Sequence, residues 1–305
     1  MSKRRALSSL LLLTVSLSCR DSRTSGVDSS RVSLPPVYPR APAGSTNWNE
    51  NAGALLLVSA GNADDSALIV LPDVSDSTIA FLHGTKPELN GVAVDLFGRS
   101  GKIATSETFT VVSSVDSSEG CFTWPAAKLK AAKSGWSVGF AAGHVDAVPL
   151  DSIEAMTSVD SAALAAVLTQ NASTLPVTAD PSFRGLPFRI RSAYTFRVDS
   201  IAGVVADVIR SLNEEAAPRL EHLLFIGEKP ASAPGKYSVV YFNRTAGAEE
   251  STQVTELLAL VTVGKSKQPA AVMSVEYGDG GRYELLARVA PSQWRTTWRS
   301  AFTGC

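Results

Sequence analysis

From Gly53 onward the chain repeats one design, in which an apolar run of four to six residues is followed by a cluster of Gly, Asn, Asp or Ser. Residues 54–58, 67–71, 78–82, 92–97, 109–112 and 136–141 all follow it. A helix that buries one face needs its apolar residues spread over ten or more positions, whereas a run this short, bounded by turn formers, suits a strand. Residues 61–65 and 98–101 are expected as turns before anything else. This punctuation excludes a helical bundle and points to antiparallel strands in a sandwich or barrel.

The second half carries the same signal. Phe188, Ile190, Tyr194, Phe196 and Val198 alternate with Arg189, Arg191, Ala193, Thr195 and Arg197, the period of a strand with one wet face. Residues 204–212 fit either a helix or a strand, while 223–226, 237–242 and 257–263 are short and apolar. The end reads as residues 271–277, a turn at 278–281, 282–289, a turn around Pro291, and 293–302. Asp279 and Gly280 suit that first turn because positive φ costs little there. On the last run, Trp294, Trp298 and Phe302 are expected on one face and Arg295 and Arg299 on the other.

Between the halves, Asp151 with Glu154, and Thr157 with Asp160, match the spacing of a helix capping box. Two short helices are expected. In the second, Val159, Ala162, Ala163, Ala166 and Val167 fall on one face, small enough to lie close on a sheet, and Asn171, Ser173 and Pro176 end it. The fold class expected is therefore mainly β. It comprises two antiparallel β domains, sandwich or barrel-like, at 48–150 and 181–305, with a short helical connector at 151–180.

The start of the chain has a different character. Lys3, Arg4 and Arg5 precede an apolar stretch over 6–17, then small Ser18 and Cys19. A spanning helix needs roughly 20 apolar residues, and this stretch is shorter, so 1–18 reads as a cleaved export signal. Ser16, Leu17, Ser18 and Cys19 resemble the lipobox of bacterial lipoproteins, with Ser16 where Leu is preferred. Two readings follow, lipid attachment at Cys19 or plain cleavage nearby, and the first is favoured. The resemblance implies several acyl chains on a mature amino terminus. At about 0.8 kcal/mol per buried methylene, more than one chain makes a lasting anchor. Arg20 after the Cys is not Asp, which in similar lipoproteins favours the outer membrane. Residues 19–47, rich in Ser, Arg and Pro, then read as a flexible tether.

Loss of the signal removes three basic residues, so 25 Lys and Arg stand against 29 Asp and Glu, a net charge of −4. That lacks the basic excess that nucleic acid demands. With Cys19 acylated, Cys121 and Cys305 remain as a pair in an oxidising compartment, and a disulfide between them is expected. The alternative is a buried thiol at Cys121 and a frayed terminal Cys305.

Catalytic signals are sparse. His83, His144 and His222 show no zinc spacing, and no nucleophile elbow occurs. Gly264, Lys265 and Ser266 imitate the tail of a phosphate loop, but Ala259 stands where its first Gly belongs. Gly278 to Gly281 lacks the spaced carboxylates of a calcium loop, and Asp64 and Asp65 read as turn acids. Neither a metal nor a cofactor is expected.

The constellation that remains is arginine on strand faces, Arg189, Arg191 and Arg197 in one place and Arg295 and Arg299 in another. Brought together, they would form a cationic face able to take an anionic envelope glycan or a partner's carboxylates. The plainer reading pairs them with Glu276, Glu284 and other acids across neighbouring strands. The expected function is that of a lipid-anchored envelope protein, its body in the periplasm or at the surface, binding a ligand or partner without catalysis. An envelope hydrolase with an active site assembled from distant residues is the alternative, and a purely structural lipoprotein the third.

Overall fold

Alternating side chains close the first part of the chain into a barrel. The computed structural model describes residues 48–304 except 62, 73–88, 114–122, 177–179, 214–216, 233–235, 265–266 and 279. All belong to one compact unit. Strands β1 (Leu56–Ser59), β2 (Ser66–Val70), β3 (Ala93–Gly98), β4 (Gly101–Val111), β5 (Ala126–Leu129) and β6 (Val138–Ala141) form a closed antiparallel barrel in the order β1-β2-β5-β4-β3-β6. Leu57, Ile69, Leu96, Phe109, Val111 and Leu129 fill its interior. Their neighbours Leu56, Val58, Val70, Phe97, Val138 and Phe140 point outward yet are buried, because a second body covers them.

That second body is a sandwich. Its five-stranded sheet has the order β12 (Ser238–Ala248), β11 (Arg219–Pro230), β10 (Ile201–Leu212), β9 (Arg189–Val198), β8 (Asp151–Ser152). Its six-stranded sheet includes β16 (Gln293–Arg299), β15 (Gly280–Ala290), β14 (Gln268–Tyr277), β13 (Val254–Val263) and β7 (Val145–Ala147), with β17 (Thr303–Gly304) beside β15. Phe196, Val205, Leu224 and Ile226 of the first sheet meet Leu260, Met273, Leu286 and Trp294 of the second in the core between them. The outer face of the six-stranded sheet, through Val261, Val272, Leu285 and Trp298, covers the barrel. Helix α1 (Ser158–Thr174) lies on the outer face of the five-stranded sheet, with Leu168 and Ala172 against Val204, Val208, Leu223 and Phe225. The result is a barrel, two sheets and a helix in successive layers, each joint apolar.

Polar contacts fasten the barrel to the sandwich. Arg99, in the β3–β4 turn, donates to Leu257 O at 2.8 Å, pairs with Glu256 and lies over the Tyr194 ring. Trp298 Nε1 donates to Pro72 O at 3.0 Å, and its ring meets Trp48 edge-on at 4.7 Å.

The mainly β antiparallel class holds, barrel and sandwich both, and residues 204–212 resolve as strand β10. Several local readings are corrected. Only a 3-10 turn, Ile153–Ala155, occupies the first expected helix, and Ser152 caps it in place of Asp151. Thr157 does cap α1 with Asp160, as the spacing predicts. The buried face of α1 is the other one, however. Leu168 and Ala172 are buried with Leu164 and Ala165 half-buried, whereas Ala162, Ala163 and Ala166 are exposed and Val159 is 76% exposed. The larger leucines win the interface because they bury more apolar surface than the alanines.

The last expected strand also breaks its phase. Leu285 pairs with Trp298 and Leu286 with Thr296, so Thr297 is an extra residue and the alternation flips there. Trp294 therefore enters the core between the sheets while Trp298 faces the barrel. Phe302 lies beyond the strand, 37% exposed, against the Tyr277 ring.

Candidate functional site

The five arginines singled out by sequence are all exposed, and the fold divides them between two sheets. Arg189, Arg191 and Arg197 stand on β9, and Arg295 and Arg299 on β16. Arg299 pairs with Glu284 at 2.9 Å, as the plainer reading expects, and Glu284 also takes Arg282 at 2.8 Å. Arg191 pairs with Asp207 at 2.7 Å. Arg189 donates to Ser211 Oγ at 3.2 Å. Among the described residues no acid pairs with Arg189, Arg197 or Arg295.

Where β10, β11 and β12 reach the same end of their sheet, charge continues into the interior. Arg210 is opposite Glu221 in the register, and Leu223 is opposite Arg244. Glu221 Oε2 accepts from Arg210 Nε and, at 3.3 Å, from Arg244 Nη1. The Glu221 side chain is fully buried, and those of Arg210 and Arg244 are each 7% exposed. Two aromatic rings lie against the guanidinium groups. Arg210 lies 4.7 Å from the Phe188 centroid and 5.9 Å from that of Phe183, Arg244 lies 5.7 Å from Phe188, and Arg219 lies 5.6 Å from Phe183. The sequence Arg219, Phe183, Arg210, Phe188, Arg244 is thus a ladder of cations and aromatic faces.

The outer end of the ladder is neutralised. Arg219 pairs with Asp180, which caps the 3-10 turn Pro181–Phe183. The Ser182 hydroxyl and amide, and then Arg219, hold the Asp180 carboxyl below its ordinary range. At the inner end, Arg210 Nη2 and Arg244 Nε and Nη2 are buried without a hydrogen-bond partner. Among the described residues, Arg210 and Arg244 both pair with the Glu221 carboxylate.

The opposite face of the same strands carries Asp207 and His222. Asp207 Oδ1 lies 3.5 Å from His222 Nδ1, outside good hydrogen-bond geometry, and both side chains are over nine-tenths buried. With Arg191 on Oδ2, Asp207 is a charge-matched anchor. Both ring nitrogens of His222 are sealed from solvent, so a substrate proton could not reach them. His144 is exposed and contacts Asn51 O at 3.2 Å. His83, Cys19, Cys121 and Cys305 lie outside the described residues.

Among the described residues no cluster of three or more His, Cys, Asp and Glu is arranged to hold a metal. Clefts of about 260 Å³, beside Ser274, Glu276 and Tyr283, and about 330 Å³, beside Val263, Leu285 and Arg288, are at or below the small end for ligand pockets. Burial, and then Glu276 nearby, push the Tyr283 phenol up to about 12, which leaves it a neutral hydrogen-bonding group.

Arg210, Glu221, Arg244 and Phe183 are absent from the sequence expectations, and Phe188 enters them only as an apolar position of a strand. One signal was available. Asp207 and Arg210 interrupt the apolar 204–212 run, and Glu221 and His222 abut the 223–226 run, positions that a central strand buries. No family model, no curated protein and no solved structure matches the chain.

Proposed function

We propose that this protein is a bacterial envelope lipoprotein, anchored through Cys19, whose β body binds an acidic ligand or partner without transforming it. The observation that carries the binding role is the state of Arg189, Arg197 and Arg295. All three are exposed on strands, and no described acid neutralises them. Guanidinium groups presented on a rigid sheet can take carboxylates in paired hydrogen bonds with little ordering cost. An anionic glycan of the envelope or an acidic face of another envelope protein supplies that chemistry. A disulfide between Cys121 and Cys305 belongs to the same setting, where thiols oxidise.

Binding of the mature protein to immobilised carboxylated glycan, against a neutral glycan of the same backbone, tests the reading. Retention on the carboxylated glycan is expected to fall with salt, and to weaken about tenfold or more when Arg189, Arg197 and Arg295 are all changed to Gln, at under about 1 kcal/mol for each exposed charge. Equal retention on both glycans, or a triple variant that binds like the parent, contradicts it.

A further inference from the structure

Strand β12 is an edge of the five-stranded sheet, and among the described residues it pairs with β11 alone. Apart from the Arg244 side chain, β12 is exposed or half-buried along its length, whereas Glu221 to Glu228 of β11 are all buried. An unpaired edge offers a row of backbone N–H and C=O groups to another strand, and natural edges carry charges, bulges or Pro against such pairing. The edge of the other sheet is guarded in that way. There β16 has two register shifts against β15 and exposes Arg295 and Arg299. By contrast, β12 runs for 11 residues without Pro or Lys, and its one register shift, with Val240 the extra residue, lies near its start. Its only charged side chain, Arg244, is turned inward onto Glu221. Phe242, in the middle of the strand, is 42% exposed.

We infer that β12 is a dimerisation edge, on which β12 of a second copy pairs antiparallel about a twofold axis near Asn243, so that two five-stranded sheets join into one. Charge selects this occupant and this direction. Between Ala231 and Glu250 the charged residues are Lys236 before the strand, Arg244 within it, and Glu249 and Glu250 after it. Lys236, Glu249 and Glu250 are exposed. Antiparallel pairing about Asn243 sets Lys236 beside Glu249 and Glu250 of the second copy, at both ends of the joint. Because the two acids are adjacent, a slip of one residue leaves that match intact. Parallel pairing would set acid beside acid. On one face, Phe242 becomes the diagonal neighbour of Phe242 of the second copy, a distance that aromatic rings bridge. Both exposed rings are then covered, and the closed symmetry leaves neither β12 edge free. This inference does not depend on the role proposed for the exposed arginines.

Sedimentation of the intact protein in density-matched detergent, over a range of concentrations, is expected to show a reversible equilibrium between monomer and dimer. Phe242→Lys puts on the exposed middle of the strand the guard that it lacks. It is expected to weaken dimerisation about tenfold or more, since the twofold axis applies the change twice. Lys236→Glu alone is also expected to weaken it, and Lys236→Glu together with Glu249→Lys and Glu250→Lys to restore it. With Asn243→Cys, mild oxidation is expected to give a disulfide-linked dimer that Thr110→Cys, exposed on the barrel wall, does not give. A parent protein that is monomeric at every concentration, or a Phe242→Lys variant that dimerises like the parent, overturns the inference. So does a combined charge reversal that fails to restore pairing, or crosslinking no greater at position 243 than at 110. If Phe242→Lys does not fold, the charge reversals at the exposed strand ends and the Asn243→Cys crosslink decide the matter.

Discussion

Trp294 Nε1 donates to Glu228 Oε1 across the sandwich at 2.6 Å. The same carboxylate takes Arg288 Nε at 2.8 Å, so one acid of β11 binds both a β15 cation and the β16 indole. Glu228 and Arg288 are 6% and 11% exposed, so loss of one partner leaves the other buried and unmatched. Glu228→Ala is expected to cost about 3–5 kcal/mol in denaturant unfolding, the range for breaking a buried pair. Glu228→Gln, which can still accept from Trp294, should cost less. Equal and small losses in both variants would mean that water takes over the contact.

Gly203 lies opposite Phe196 in the β9–β10 register, and a Cβ on Gly203 would meet Phe196 Cζ at 2.0 Å. The ring covers the glycine and reaches Trp294 at 6.3 Å between centroids. Gly203→Ala must displace the ring from this core, an overpacking penalty of about 1–3 kcal/mol. In a Phe196→Leu background the same change should cost clearly less. A double-mutant cycle with no coupling would contradict the packing described.

Asp95 is buried on the outer wall of the barrel. Its carboxylate accepts from Ser106 N at 3.0 Å, Gly143 N at 2.9 Å and Lys102 Nζ at 3.0 Å. Burial by itself would raise the Asp95 pKa, but the two amides and the ammonium outweigh it and hold the group below 3.8. Because the folded form titrates below the unfolded one, its stabilisation is complete above pH 3.8 and is lost as pH falls through the folded value. Asp95→Asn is expected to lose about 1.5–3 kcal/mol at neutral pH and to flatten the decline of stability in acid. Urea unfolding across the acid range reads both effects, and an unchanged acid slope contradicts this assignment.

Trp298 joins barrel and sandwich through the Pro72 carbonyl and the Trp48 ring, inside a core drawn from both. The described unit should therefore unfold in one calorimetric transition. Trp298→Ala is expected to cost about 3–5 kcal/mol. A parent protein with two separate transitions would show that this joint does not couple the layers.

Most of the β character was legible in sequence because short apolar runs and turn residues report local preference directly. What escaped depends on neighbours. Strand β4 begins at Gly101, well before its apolar 109–112 segment, because residues such as Lys102, Ser106 and Glu107 lie on a barrel wall with little to bury. The Trp294 and Trp298 faces diverge through a single extra residue, Thr297, that no periodicity announces. Alanines on α1 looked like the contact face, yet Leu164 and Leu168 are the residues turned toward the sheet. The charged site escaped for a related reason. Arg210, Glu221 and Arg244 stand on three successive strands, and only the register of β10, β11 and the edge strand β12 brings both arginines onto one carboxylate oxygen of Glu221.

Everything proposed about binding presumes an envelope setting, and that setting rests on Cys19. Intact mass of the mature protein, extracted from the membrane of a bacterial host and measured with and without reduction, addresses it directly. The predicted result is a chain that begins at Cys19 and carries the mass of several acyl chains, with reduction adding the pair of hydrogens of a Cys121–Cys305 disulfide. A full-length chain, or a cleaved chain with no acyl mass, would contradict the anchor and with it the envelope assignment.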